Sequence, residues 1–212
     1  MKKIAILGDS YSTYAGYIPE DYLYWYAPGG NALDNDVASV EDTWWKILCN
    51  RMNLDLCCNC SYSGSTVCYT GYPGYDGKKT SFVYRMKREF GNLRNQHIAP
   101  DYIFVFGGTN DFWNQSPVGE INYNPLSEDE LKNFAPAFCC VMEYMKHNFP
   151  KSRLMIVIND DITSIVRDIE IEVGHHYGAD VLELWGIDKQ NGHPSRLGME
   201  QIADQVIQST SF

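Results

Sequence analysis

A chain of 212 residues, 44% hydrophobic and 21% charged, is long enough for one domain with a sizeable core and too apolar for extensive disorder. Its formal net charge is −10, and no concentrated Lys/Arg block offsets it. Nucleic acid and anionic lipid are therefore poor partners, and neutral or weakly charged small molecules are better ones.

No apolar run approaches the roughly 18–20 residues that cross a bilayer. Met1-Lys2-Lys3 and the short run Ile4 to Leu7 lack the h-region and cleavage site of a signal peptide, so a cytoplasmic location is expected. Lys3–Leu7 reads as a buried strand. Residues 11–40 follow with Tyr11, Tyr14, Tyr17, Tyr22, Tyr24, Trp25 and Tyr26, then Pro28-Gly29-Gly30. A structureless stretch of this length is unusual in a compact domain, and it is expected to be an insertion or lid with a functional role. Trp44, Trp45, Ile47 and Leu48 mark a first helix, and Leu54–Cys60 a less regular strand.

Phe82, Met86 and Phe90 recur at helical spacing, and Tyr102–Phe106 is the third strand. Ser127 and Glu130 form a capping box ahead of Leu131 and Phe134, while Pro136 predicts a kink or two separate helices. Leu154–Ile158 is a fourth strand. Ile162, Ile165, Val166, Ile169 and Val173 then predict a helix ending at Gly178, before the strand Val181–Leu184. A last helix follows Pro194-Ser195, with Leu197, Ile202 and Val206 as its expected buried side. Short buried strands alternating with helices predict an α/β fold over residues 1–212: a three-layer α/β/α sandwich on a mainly parallel sheet of about five strands. Such a sheet binds ligands beyond its C-terminal edge, where Gly8–Thr13, Ser61–Thr66 and Gly107–Asn110 would share one rim.

Seven Cys (Cys49, Cys57, Cys58, Cys60, Cys68, Cys139 and Cys140) make an odd count, which fits reduced thiols. Cys57 and Cys60 have CxxC spacing, but no second pair or nearby His makes a zinc site. Packing at a strand end is the expected role. His175 and His176 close a helix, where cationic character is favourable. The loop after the first strand has neither a GxGxxG nor a GxxxxGK[ST] pattern, which argues against a nucleotide or flavin phosphate there.

Four segments at the strand ends carry chemistry: Gly8-Asp9-Ser10, Ser63-Gly64-Ser65, Gly107-Gly108-Thr109-Asn110-Asp111 and Gly192-His193-Pro194. Their order and placement resemble the SGNH hydrolases, the GDSL-type esterases and lipases, over nearly the whole chain. The resemblance implies a flavodoxin-like sheet, Ser10 as nucleophile, His193 as general base, and Gly64 and Asn110 as oxyanion-hole donors. It implies no metal and no organic cofactor. A departure stands at the orienting acid, which the family usually places three residues before the histidine, where this chain has Gln190. Asp188, a neutral acceptor such as Gln190 or a backbone carbonyl, and Asp160 or Asp161 are the candidates for that role.

The activity so implied is hydrolysis of short-chain carboxylic esters through a Ser10 acyl-enzyme, including removal of acetyl groups from carbohydrates, for which the 11–26 aromatics would supply stacking surfaces. The alternatives are a longer-chain lipase or lysophospholipase, and a non-catalytic carbohydrate-binding protein on a degenerate hydrolase fold. Homo-oligomerisation is left open.

Overall fold

The computed structural model describes residues 1–30, 35–124, 127–163, 165–210 and 212. Residues 31–34 of the aromatic segment and Ser164 of the predicted 162–177 helix thus lie outside the described residues. In chain order the elements are β1 (Lys2–Gly8), α1 (Trp44–Met52), β2 (Leu54–Ser61), α2 (Gly77–Thr80), α3 (Phe82–Asn95), β3 (Tyr102–Phe106) and α4 (Thr109–Trp113). They continue with α5 (Phe134–Asn148), β4 (Arg153–Ile158), α6 (Ile165–Tyr177), β5 (Asp180–Glu183), β6 (Lys189–Gln190), β7 (His193–Pro194) and α7 (Arg196–Ser209).

The central sheet has five parallel strands in the order β2-β1-β3-β4-β5. Strand side chains alternate between its two faces, so each strand feeds two cores. Ala5, Leu7, Ile103, Val105 and Ile156 pack with Phe82, Met86, Phe138, Met142 and Val173 of α3, α5 and α6. Ile4, Ile6, Phe104, Phe106 and Val157 pack on the other side with Trp44, Trp45, Leu48, Met199, Ile202 and Val206 of α1 and α7. Helices on both faces of a buried parallel sheet make the three-layer α/β/α fold the apolar runs predict. The strand order reverses between β1 and β3, and an open α/β sheet presents its ligand crevice at such a switch point. Both Ser10 and Asn110 follow strands of this pair.

Four local expectations are corrected. Pro136 is the third residue of α5, where a helix N–H has no intrahelical partner, so the helix runs on without the predicted break there. The Ser127–Glu130 box is reciprocal, Glu130 N–H to Ser127 Oγ at 3.2 Å and Ser127 N–H to Glu130 Oε2 at 2.9 Å, but it closes a separate single turn over Glu130–Lys132. Leu197 is exposed, and Gly198, Met199, Ile202, Ala203 and Val206 form the buried face of α7. Ile165 is also exposed at the start of α6, while Ile162 is buried ahead of it. Cys57 sits where the β1–β2 register shifts, and its thiol donates to Ile4 O at 3.2 Å. All seven thiols are free.

Candidate active site

The turn after β1 is set by a close approach. A side chain on Gly8 would place a Cβ 2.6 Å from Ser61 Oγ and 2.9 Å from Ser12 Cβ, so only glycine lets β1 end against β2 here. Asp9 then caps a single turn over Ser10–Ser12 by accepting the Tyr11 N–H at 3.0 Å. Thr13 donates its hydroxyl to Ser10 O at 2.9 Å, and the same Thr13 oxygen accepts the Trp25 N–H at 2.9 Å. The Ser10 side chain is thereby fixed on a short buried turn beyond the sheet edge.

His193 arrives on a two-residue hairpin. Gln190 pairs with His193 and Lys189 with Pro194, and the connecting Asn191-Gly192 has φ values of 51° and 73°. Two positive φ angles in an Asn-Gly pair are the signature of a type I′ turn, which matches the twist of its strands. The aromatic segment braces this hairpin. Tyr11 Oη donates to Gly192 O at 2.7 Å, Tyr26 Oη to Pro194 O at 3.0 Å, and Asn35 Nδ2 to Pro194 O at 3.1 Å. Asp36 N–H donates to the Gln190 side chain at 2.9 Å.

The hairpin places His193 Nε2 2.9 Å from Ser10 Oγ and His193 Nδ1 3.1 Å from Asn191 O. A carbonyl can only accept, so Nδ1 carries the proton and Nε2 presents its lone pair to the serine hydroxyl. Burial pushes the His193 pKa down to about 4; the Asn191 carbonyl opposes this and the Lys189 cation adds to it. Three aromatic rings surround the imidazole: Trp25 stacked at 3.6 Å, Tyr11 at 5.5 Å and Trp113 at 6.1 Å between centroids.

The loops that follow β2 and β3 are tied to each other. Gly64 has φ +79°, in the left-handed region. Asn110 Nδ2 donates to Ser65 O at 3.0 Å, and its Oδ1 accepts from Tyr72 Oη at 3.2 Å. That arrangement uses one amide N–H and leaves the second available. Asp111 accepts the Val67 N–H at 2.7 Å and the Cys68 N–H at 3.3 Å. Arg85, wholly buried, binds the same region from below: it donates to Cys60 O, to Gly8 O at 3.0 Å and to Ser65 Oγ at 2.9 Å. A cleft of about 460 Å³ opens beside Gly64, lined by Leu23, Tyr62, Ser63, Tyr72 and Tyr75 among others.

Three buried carboxyls lie under the site. Burial raises Asp9 to about 7 against the pull of the Tyr11 N–H and Arg85, and raises Asp111 to about 6 against the Val67 and Cys68 N–H groups. Glu170 is pushed well above the usual carboxylate range by burial and then by Asp111 and Asp9. Its Oε1 lies against Gly108, where a Cβ would approach to 2.6 Å.

The structure brings Ser10 and His193 into contact, and it ties the Asn110 side chain to the Gly64 loop through Ser65 O. It does not bring Asp188 to the imidazole. The Asp188 carboxylate accepts the Ser195 hydroxyl, which caps α7 through the Gly198 N–H at 3.1 Å. Gln190 is turned to Asp36, and Asp160 and Asp161 hold Lys189. Among the described residues no carboxylate is hydrogen-bonded to His193. Tyr11, Tyr14, Tyr22 and Tyr26 are core residues, so these rings are not available to stack on a ligand. Sequence reasoning places Trp25 only among the rings expected to stack on a ligand, whereas it stacks on His193, and it passes over Arg85, Glu170 and the Asn191-Gly192 turn, although that dipeptide is itself a hairpin signal. No cluster of three or more His, Cys, Asp or Glu side chains able to hold a metal ion occurs among the described residues.

A family model described as GDSL-like lipase/acylhydrolase matches residues 2–210. A crystal structure described as a GDSL-like lipase from Bacteroides uniformis is 41% identical, with 99% of this chain and 95% of that one covered at a TM-score of 0.90. Another from Bacteroides ovatus is 37% identical, with 98% and 97% covered and the same TM-score, 0.90. A family two carbohydrate esterase from Clostridium thermocellum, crystallised with cellohexaose, shares the fold at 15% identity, TM-score 0.61, with 97% and 62% covered. None of the curated proteins matches the chain.

Proposed function

The chain belongs to the GDSL-like lipase/acylhydrolase family of ester hydrolases, and from that premise we propose that it is a serine esterase working through a Ser10–His193 dyad oriented by a backbone carbonyl. The observation that carries this reading is the hydrogen-bonded row Ser10 Oγ, His193 Nε2, His193 Nδ1, Asn191 O, with separations of 2.9 and 3.1 Å.

In the reaction, Ser10 Oγ attacks the ester carbonyl as His193 Nε2 takes its proton. The Ser10 and Gly64 N–H groups and the second Asn110 amide N–H stabilise the oxyanion; each such donor is worth roughly 3–4 kcal/mol in the transition state. Collapse of the tetrahedral intermediate expels the alkoxide, which His193 protonates. Water, deprotonated by His193, then attacks the acyl-enzyme, and the acid leaves as Ser10 recovers its proton. The Asn191 carbonyl serves every step by keeping the Nδ1–H tautomer.

The substrate is a small polar ester, with acetylated carbohydrates as the leading class. The cleft beside Gly64 is lined by the phenols of Tyr62, Tyr72 and Tyr75, and Tyr75 is exposed, so a sugar ring has an aromatic face and hydroxyl partners there. The rate on p-nitrophenyl acetate should exceed that on the octanoate at least tenfold, and acetylated xylo-oligosaccharides should release acetate. Faster cleavage of the octanoate would contradict the small-ester assignment.

A further inference from the structure

We propose that Trp25 is a positioning residue for this dyad, and that its indole supplies part of what a carboxylate gives the histidine of a Ser-His-Asp enzyme. The inference rests on the dyad reading above and deepens it. An Asn191 carbonyl fixes the tautomer of His193, but it carries no net charge with which to stabilise the imidazolium that forms when Ser10 yields its proton. It also grips the ring at a single nitrogen.

The indole of Trp25 lies flat on the imidazole, with centroids 3.6 Å apart and planes inclined by only 8°. A π face at that distance attracts a cation, and it blocks rotation of the ring out of the Ser10 direction. The neutral imidazole gains little from the quadrupole and the imidazolium gains more, so the contact favours the transition state over the ground state. The position of Trp25 is itself locked to the nucleophile. Its backbone N–H donates to Thr13 Oγ1 at 2.9 Å, and that hydroxyl donates to Ser10 O at 2.9 Å. The next residue, Tyr26, is bonded through its hydroxyl to Pro194 O at 3.0 Å, directly after His193. The backbone N–H of Trp25 thus ties it to the nucleophile turn, the Tyr26 hydroxyl ties the same segment to the histidine hairpin, and the indole meets that hairpin through the stack. This accounts for a family member that lacks the usual acid at Gln190 while keeping its histidine rigid.

The test compares Trp25→Leu and Trp25→Phe in the full chain, with p-nitrophenyl acetate as substrate. Leucine keeps apolar cover but removes the π face, whereas phenylalanine keeps a smaller one. The expected result is a fall in kcat of about ten- to thirtyfold for Trp25→Leu, the size of a desolvated cation–π contact, with KM within about threefold. Trp25→Phe should recover most of the loss. Trp25→Met serves as a second variant without a ring if circular dichroism shows that the leucine variant does not fold. An active wild type whose ring-free variants keep full kcat, or lose it equally with phenylalanine, would overturn the role of Trp25 alone. A wild type with no Ser10-dependent turnover would overturn the dyad, and the role of Trp25 with it.

Discussion

Replacing Asp188 with Asn separates a dyad from a triad in one step. In serine hydrolases with a working aspartate, removing that charge lowers kcat by about 10⁴ because the histidine loses its tautomer control. Here the Asp188 carboxylate accepts the Ser195 hydroxyl, and the Asp188 carbonyl accepts the Ser195 N–H at 3.0 Å. Its N–H donates to Gln201 Oε1 at 2.7 Å. All three contacts are made with α7 and its capping Ser195, and none reaches the imidazole. The amide keeps an acceptor for Ser195 and loses only the charge near the positive end of the helix. Asp188 is exposed, so that charge is worth about 0.5–1 kcal/mol. For a chain of this size the melting temperature should fall by about 1–4 °C. The kcat for p-nitrophenyl acetate should stay within about threefold of wild type. A hundredfold or greater loss of kcat in a folded Asp188→Asn protein would refute the carbonyl-supported dyad.

Other expectations follow from the buried titratable groups. His193 must be neutral to accept the Ser10 proton, and burial holds its pKa near 4. The kcat/KM should therefore stay level from pH 7 down to about 5 and halve near pH 4; a half-point at the ordinary histidine value near 6.5 would contradict the buried ring. Asp9, Asp111 and Glu170 have raised carboxyl pKa values in the fold. Their contribution is fully present below the unfolded values near 4 and is lost as pH rises through 6 to 7 and beyond. Melting temperature should consequently fall between pH 5 and pH 8, and Glu170→Gln should flatten that fall; an unchanged slope would exclude Glu170 as a contributor. Gly108→Ala should lower both stability and kcat, because φ is +81° there and the new Cβ would meet Glu170 Oε1 at 2.6 Å.

Much of this site is legible in the sequence because its chemistry demands particular side chains at particular strand ends. Ser10, Gly64, Asn110 and His193 each follow a strand or precede a helix, and the rule that ligands meet the C-terminal edge of a parallel sheet gathers them. The groups that hold them are harder to read. Trp25 meets His193, and Arg85 meets Gly8 and Ser65, across long stretches of chain, and no local period encodes such pairs. The tyrosines between Tyr11 and Tyr26 suggest a ligand surface from composition alone. Tyr11, Tyr14, Tyr22 and Tyr26 instead fill the core, and Tyr11 and Tyr26 brace the histidine hairpin through their hydroxyls. Periodicity likewise overcounts Leu197 and Ile165, since an apolar residue on the first turn of a helix can face solvent at little cost.

The central claim is that Ser10 is a nucleophile activated by His193, and a fluorophosphonate probe reads that directly. Intact-mass and peptide analysis should find one adduct per chain, on Ser10. Ser10→Ala should abolish labelling, and His193→Ala should slow it by at least a hundredfold. An adduct on another residue, or labelling that persists at the wild-type rate in His193→Ala, would contradict the account.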